Sequence, residues 1–175
     1  MNSLCLEPEV SLSAPSVSVA NPPAAHGPVV AAVRAIRLQS GLLACIESIA
    51  RDRKMSLSQQ ALLQRFPRRC RRFQADEGRI DYRDALELMA ELGVADSFET
   101  VRDMAGIADL GDRVMRGVLL CMPDARGVAP LWWRLAGVKG GGLVVMQPEA
   151  ADPAQFAEIS FAELESADAW ALALD

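Results

Sequence analysis

The hydrophobic pattern of this 175-residue chain changes near Gly111, and that change is what most constrains the fold. Before it, apolar residues recur at three- and four-residue steps, the spacing that places side chains on one face of a helix. After it, short apolar runs alternate with turns containing glycine, aspartate or lysine, which is typical of antiparallel strands. Helices followed by a meandering sheet predict an α+β fold, with N-terminal helices packed on one side of a C-terminal antiparallel sheet.

The first half is predicted to hold several helices separated by breakers. A glycine costs about 1 kcal/mol inside a helix, so the helical spacing that starts at Val29 should break at Gly41, where Ser40 can cap a new helix. The predicted segments are Val29 to Ile36, Leu42–Arg51, Ser56 to Pro67, Asp81–Leu92 with Gly93 as its C-terminal cap, and Phe98–Gly106.

The second half is predicted to form the sheet. Its expected strands are Val114–Met122, Pro130–Val138, Gly142–Met146, Phe156–Ser160 and Ala169–Leu174, with a short helix at Phe161–Glu165. Residues 1–27 are rich in proline, alanine and serine, and we expect them to form a flexible tail before a domain at residues 28–175.

Charge and composition argue against several classes of function. The net charge of −5 and the pI near 5.0 are unlike those of a nucleic-acid-binding protein. Four cysteines without a CxxC spacing, and one histidine in total, make a zinc site improbable, and no cofactor is expected. No apolar run approaches the roughly 18 residues of a membrane span, and no secretory signal is evident at the N-terminus. We therefore expect a soluble intracellular protein whose cysteines are reduced: Cys5, Cys45, Cys70 and Cys121.

Several segments match a known family in the same order along the chain. Gln39–Leu62 resembles the opening of the bacteriocin-processing cysteine peptidases, the double-glycine leader peptidases that precede some ABC exporters. The helix Asp84–Val94 also resembles the family, as do the later segments Val118–Met122, Leu131–Val138 and Leu143–Pro148. The resemblance covers roughly residues 39–175 and implies a papain-like fold.

The catalytic positions that the resemblance implies do not carry catalytic residues. Ser40 stands where the family has its cysteine, Leu131 where it has its histidine, and Gln147 where it has its aspartate. A hydroxyl attacks an amide only when a base takes its proton, and His26, the single histidine, lies in the predicted tail. Cys45 lies on the apolar face of its helix and is expected to be a buried structural thiol. We therefore expect no enzymatic activity.

The resemblance implies a binding role instead. Degenerate members of the family precede type I secretion ABC transporters, where they hold the unfolded substrate at the cytosolic face of the inner membrane. The implied partners are an unfolded secreted polypeptide and, if the chain is a fragment, the membrane and nucleotide-binding domains of a transporter, with no nucleic acid.

Three neighbouring residues are the candidates for substrate binding: Trp132, Trp133 and Arg134. Because successive strand residues face opposite sides of a sheet, one tryptophan should pack in the core while the other faces the cleft or solvent. Arg134 could pair with an acidic or C-terminal segment of the substrate.

Other functions stay open at this stage. Residues Ser56–Gln74 superficially resemble a helix-turn-helix with an arginine-rich exit, which would suit a DNA-associated regulator. Pro67, the acidic pI and the strand-rich second half argue against it. A stand-alone peptidase-like adaptor and an active enzyme of another kind are further alternatives. The cluster Arg68–Arg72 is either a solvated face or a contact for lipid headgroups or a transporter domain.

Overall fold

Five stretches of the chain are described by the computed structural model, namely residues 30–36, 41–68, 82–123, 130–150 and 156–175. The predicted tail at residues 1–27, with His26, lies outside them, as do Ser40, Cys70 and most of the Arg68–Arg72 cluster.

Three helices from the first half pack together on one face of the sheet. They are α1 (Gly41–Asp52), α2 (Gln59–Arg65) and α3 (Tyr82–Glu91). Every residue of α1 from Gly41 to Ala50 is buried, as in a helix surrounded by other elements. The helices predicted at Leu42–Arg51 and Asp81–Leu92 are thus confirmed.

Helix α2 begins later than predicted. Its N-cap is Ser58 rather than Ser56, and the Ser58 side chain accepts a hydrogen bond of 3.2 Å from the backbone N–H of Ala61. Such a bond satisfies one of the free N–H groups in the first turn. The helix ends at Arg65, before Pro67, as predicted.

A six-stranded antiparallel sheet forms the rest of the domain. Its strands are β1 (Phe98–Val101), β2 (Val118–Met122), β3 (Leu131–Lys139), β4 (Gly142–Met146), β5 (Phe156–Ser160) and β6 (Trp170–Leu174). Their spatial order is β1-β6-β2-β3-β4-β5, so the last strand lies between the first two. The five strands predicted for the second half and the short helix, observed at Phe161–Ser166, are confirmed, although the first of these strands begins at Val118 and not at Val114.

The prediction of a helix over Phe98–Gly106 is wrong in its first half. Phe98–Val101 is the edge strand β1, and Phe98 lies opposite Leu174 in the register with β6. The helical part starts only at Met104, where α4 (Met104–Ala108) leads into a 3-10 turn at Asp109–Arg113. The partner that makes β1 a strand is far away in sequence, so the local pattern did not indicate it.

The N-terminal helices pack on one side of the sheet, as predicted, but the opposite face is covered as well. One face packs against α1, α2 and α3, whereas the opposite face is covered by α4, the 3-10 turn and α5 (Phe161–Ser166). The reason is visible in β2, whose five residues are all buried. A strand that is apolar on both faces must be covered on both faces.

Residues 30–36, here named the N-terminal strap, are not helical as predicted but follow an irregular path across the domain. Val30 and Val33 are nevertheless buried. The backbone N–H of Val33 donates to Met146 Sδ at 3.3 Å, and that of Ala35 donates to the Pro148 carbonyl at 2.9 Å. The strap therefore meets its hydrogen-bonding needs through long-range contacts rather than through a helix.

Candidate functional site

The N-terminus of α1 meets the start of β3 and the turn that follows β4. The backbone N–H of Gly41 donates to Glu149 Oε1 at 2.8 Å. A Cβ at position 41 would lie 3.0 Å from Glu149 Oε1 and 3.2 Å from the Trp132 carbonyl oxygen, so the approach is close enough to favour glycine. Each of these three residues lies close in sequence to a predicted catalytic position. Gly41 directly follows Ser40, Trp132 directly follows Leu131, and Glu149 lies two residues after Gln147. The neighbours of all three predicted catalytic positions therefore converge here.

The two predicted positions that are described carry no ionisable group. Leu131 starts β3 and is 40% exposed, and Gln147 is half-buried after the end of β4. Ser40 lies outside the described residues, directly before the first residue of α1. The acid at this junction is Glu149, which the sequence analysis did not single out.

Glu149 changes the electrostatics of this helix end. The first N–H groups of a helix lack internal partners and carry a partial positive charge, which favours an anion beside them. Here the protein's own carboxylate takes that place through its bond with Gly41. A second anion at this helix end would meet the charge of Glu149.

Cys45 lies one turn further along α1 and is fully buried. Its Sγ is 3.7 Å from the Trp132 carbonyl oxygen. Burial raises the pKa of the Cys45 thiol far above its ordinary value, although the charge of Arg134 opposes the effect. Burial likewise raises the pKa of Cys121 to about 12. Both thiols are protonated at neutral pH and therefore poor nucleophiles. Both are buried, which confirms the prediction made for Cys45.

The two neighbouring tryptophans lie on opposite faces of β3. Trp132 is 4% exposed and packs in the core beneath the N-terminal helices. Trp133 is partly buried against the other face, next to the core that contains Leu120 and Leu135. The alternation places Trp132 on the same side of the sheet as α1.

Arg134 is a core residue rather than the surface cation that was predicted for an acidic partner. It is fully buried, and its Nη2 lies 2.7 Å from Asp52 Oδ2 at the end of α1. Its Nη1 donates to Ser48 Oγ at 2.6 Å. Burial lowers the pKa of the Arg134 guanidinium, and the charge of Asp52 opposes this change.

The same buried side chains hold the N-terminal strap. Asp52 Oδ1 accepts a 3.1 Å hydrogen bond from the backbone N–H of Ala31, and Ser48 Oγ donates to the Ala31 carbonyl. Gln59 binds the strap further on, because its Oε1 accepts from the N–H of Ile36 at 3.1 Å. Arg134 therefore helps to position the strap through Asp52 and Ser48.

A row of side chains that sequence reasoning missed continues from Trp132 across the sheet. Trp132 lies opposite Cys121 on β2, and Cys121 lies opposite Trp170 on β6. The two indole rings meet edge to face, with centroids 5.6 Å apart and planes at 82°. The Arg102 guanidinium lies 5.6 Å from the centroid of Trp170. Trp132, Cys121, Trp170 and Arg102 are here named the aromatic row.

The sequence offered one signal for this row, which is that Trp170 lies in the predicted strand Ala169–Leu174. It could not show that β6 lies between β1 and β2, which is what places Trp170 near Trp132 and Arg102. Trp170 is partly exposed and Arg102 is exposed, so the far end of the row faces solvent.

Membrane-spanning helices and metal sites are both absent from the described residues. In these parts of the chain no helix is both long and apolar enough to cross a membrane. No group of three histidine, cysteine, aspartate or glutamate side chains within them is placed to hold a metal ion.

Comparison with known proteins finds a match at the level of structure. No protein-family model and no curated protein sequence matches the chain. The crystal structure of the peptidase domain of Streptococcus ComA, a bifunctional ABC transporter involved in a quorum-sensing pathway, superposes with a TM-score of 0.58 at 16% identity. The match covers 82% of this chain and 97% of that domain. This chain has a papain-like peptidase fold. At this level of identity, the similarity of the peptidase-like domain to ComA concerns the fold.

Proposed function

We propose that this peptidase-like domain binds an unfolded polypeptide without cleaving it, as part of secretion through an ABC transporter. The fold shared with a transporter's peptidase domain supports the setting. The expected site is the cytosolic face of the inner membrane, and the expected partners are an unfolded secreted polypeptide and the membrane and nucleotide-binding domains of a transporter.

The observation that supports binding without cleavage is the hydrogen bond from the backbone N–H of Gly41 to Glu149. Acyl transfer needs a nucleophile, a base and donors directed at the developing oxyanion. At this junction Leu131 and Gln147 supply no base, and Glu149 places a negative charge at the end of α1. The two buried cysteines cannot substitute as nucleophiles, because their thiols stay protonated.

Binding is proposed to use Leu131 and the solvent-facing end of the aromatic row. Leu131 offers an exposed apolar side chain at the start of β3. Trp170 offers part of an indole ring, with the cation of Arg102 above it. Aromatic and arginine side chains supply much of the energy in polypeptide recognition, and a cation at the row suits acidic segments.

The test compares binding of an unfolded acidic polypeptide with binding of duplex DNA, each at low and high salt. The proposal predicts saturable polypeptide binding, with weak DNA binding at both salt concentrations. Tight DNA binding that falls steeply with salt would favour the DNA-associated regulator instead.

Two variants connect the binding to the aromatic row. Trp170→Ala and Arg102→Ala should each weaken polypeptide binding, by about tenfold for an interface anchor worth more than 1 kcal/mol. Glu165→Ala, an exposed change on α5, is the matched control and should leave affinity unchanged. Unchanged affinity in both aromatic-row variants would exclude this row as the binding surface.

A further inference from the structure

The β1 edge of the sheet carries a second surface with features of a polypeptide-binding groove. A cavity of about 360 Å³ lies between α3 and the start of β1. Leu86 and Ala95 are buried residues of its lining, and Phe98 borders it with 45% of its surface exposed. Phe98 is among the most exposed large apolar side chains of the described residues.

The groove lies beside a strand edge. β1 is the outermost strand of the sheet on this side and pairs with β6 along one edge only, as far as the described residues show. An exposed strand edge offers N–H and C=O groups to an added strand, while a neighbouring pocket can select a side chain. Three strand spacings separate β1 from β3, about 14 Å, so this surface is distinct from the junction at Gly41.

The charge at the groove selects the kind of occupant. Glu87 and Asp96 line it and are exposed, and no lysine or arginine is among the described residues of its lining. An acidic border attracts cations and repels acidic segments. The occupant that fits is an extended polypeptide segment with one apolar side chain between lysines or arginines.

We propose that the groove between α3 and β1, here named the edge groove, binds such a segment by strand addition to β1. The segment's backbone pairs with the free edge of β1, its apolar side chain enters beside Phe98, and its cations lie near Glu87 and Asp96. This proposal does not depend on the proposed function of the aromatic row. The edge groove should bind a basic segment, whereas the aromatic row should bind an acidic one.

The probe is a short threonine-rich peptide with a central leucine flanked by lysines, added to the full chain and followed by fluorescence anisotropy. Replacing the lysines by glutamates should weaken binding by about tenfold or more, because the attraction to Glu87 and Asp96 is replaced by repulsion. Methylating alternate backbone amides of the peptide should also abolish binding, since strand addition needs those donors.

Two variants of the chain complete the test. Ala90→Trp, an exposed position on α3 in the groove lining, should fill the groove and lower affinity by about tenfold. Glu87→Lys should reverse the preference between the lysine and glutamate peptides. Glu165→Lys makes the same charge change on α5, outside the groove lining, and should leave the preference unchanged.

Several outcomes would overturn the proposal. Equal binding of both peptides would refute the proposed charge preference. Equal effects of Glu87→Lys and Glu165→Lys would show only a general attraction between the chain and cations. Absence of peptide binding, together with dimerisation that Ala90→Trp abolishes, would instead assign the groove to a second copy of the chain. Because Trp170→Ala should not change binding of the lysine peptide, failure at the edge groove is distinguishable from failure at the aromatic row.

Discussion

Removing the charge of Asp52 should destabilise the domain strongly, because it leaves the guanidinium of Arg134 buried without its partner. Arg134 is fully buried, and the Asp52 side chain is 11% exposed at a separation of 2.7 Å. Breaking a buried ion pair by removing one partner costs about 3–5 kcal/mol. With a urea m-value of about 2 kcal/mol/M, this loss lowers the unfolding midpoint by about 2 M.

A double-mutant cycle separates the pair from its surroundings. Asp52→Leu and Arg134→Met should each cost about 3–5 kcal/mol, whereas the double variant should cost less than the sum by about 2 kcal/mol or more. Asp52→Asn retains an acceptor for the N–H of Ala31 and isolates the loss of charge. Urea unfolding followed by circular dichroism measures the free energy of unfolding of the wild-type protein and of the four variants.

The control is an exposed pair elsewhere in the sheet. Lys139 and Glu158 form an ion pair with side chains 49% and 65% exposed, so Lys139→Ala should cost less than about 1 kcal/mol. A similarly small loss for Asp52→Leu, or strict additivity of the cycle, would show that Arg134 is not held by Asp52 in the folded protein.

Three further changes probe the core. Trp132→Ala should lower the free energy of unfolding by about 3–5 kcal/mol, because the ring is buried against Trp170. Trp133 is only partly buried, so Trp133→Ala should lower it clearly less. Equal losses of stability would refute the assignment of the two rings to opposite faces. Native Cys45 should resist iodoacetamide up to pH 9, since burial raises the pKa of its thiol, and mass spectrometry showing rapid alkylation would contradict this. Gly142→Ala should cost on the order of 1–3 kcal/mol, because a Cβ there would lie 2.2 Å from the Ile159 carbonyl oxygen; an unchanged melting temperature would argue against that contact.

The sequence predicted the elements well where short-range periodicity decides them. Helix α1 and the strands around Leu143 were recognisable from the spacing of their own apolar residues. The helix prediction for the N-terminal strap failed because Val30 and Val33 are buried by contacts with distant residues, including Met146. A three-residue spacing in an extended segment is not distinguishable from a helical one without knowledge of those contacts.

The candidate site was predictable only in part. The order of the matching segments indicated that positions next to Gly41, Trp132 and Glu149 would meet, and they do. The buried ion pair of Arg134 was not predictable. The local sequence around an arginine in a strand does not show that Asp52, at the end of α1, lies next to it in the fold. Trp170 was missed for a similar reason, since the position of β6 inside the sheet is a property of the topology.

The most direct test of the central claim is a cleavage assay on the full chain. An unfolded acidic polypeptide and a double-glycine leader peptide are each incubated with the protein, and their intact masses are followed by mass spectrometry beside a binding measurement. The proposal predicts saturable binding of the acidic polypeptide and unchanged masses for both. Specific cleavage of either, lost on Ser40→Ala, would show that the junction at Gly41 and Glu149 is an active site after all.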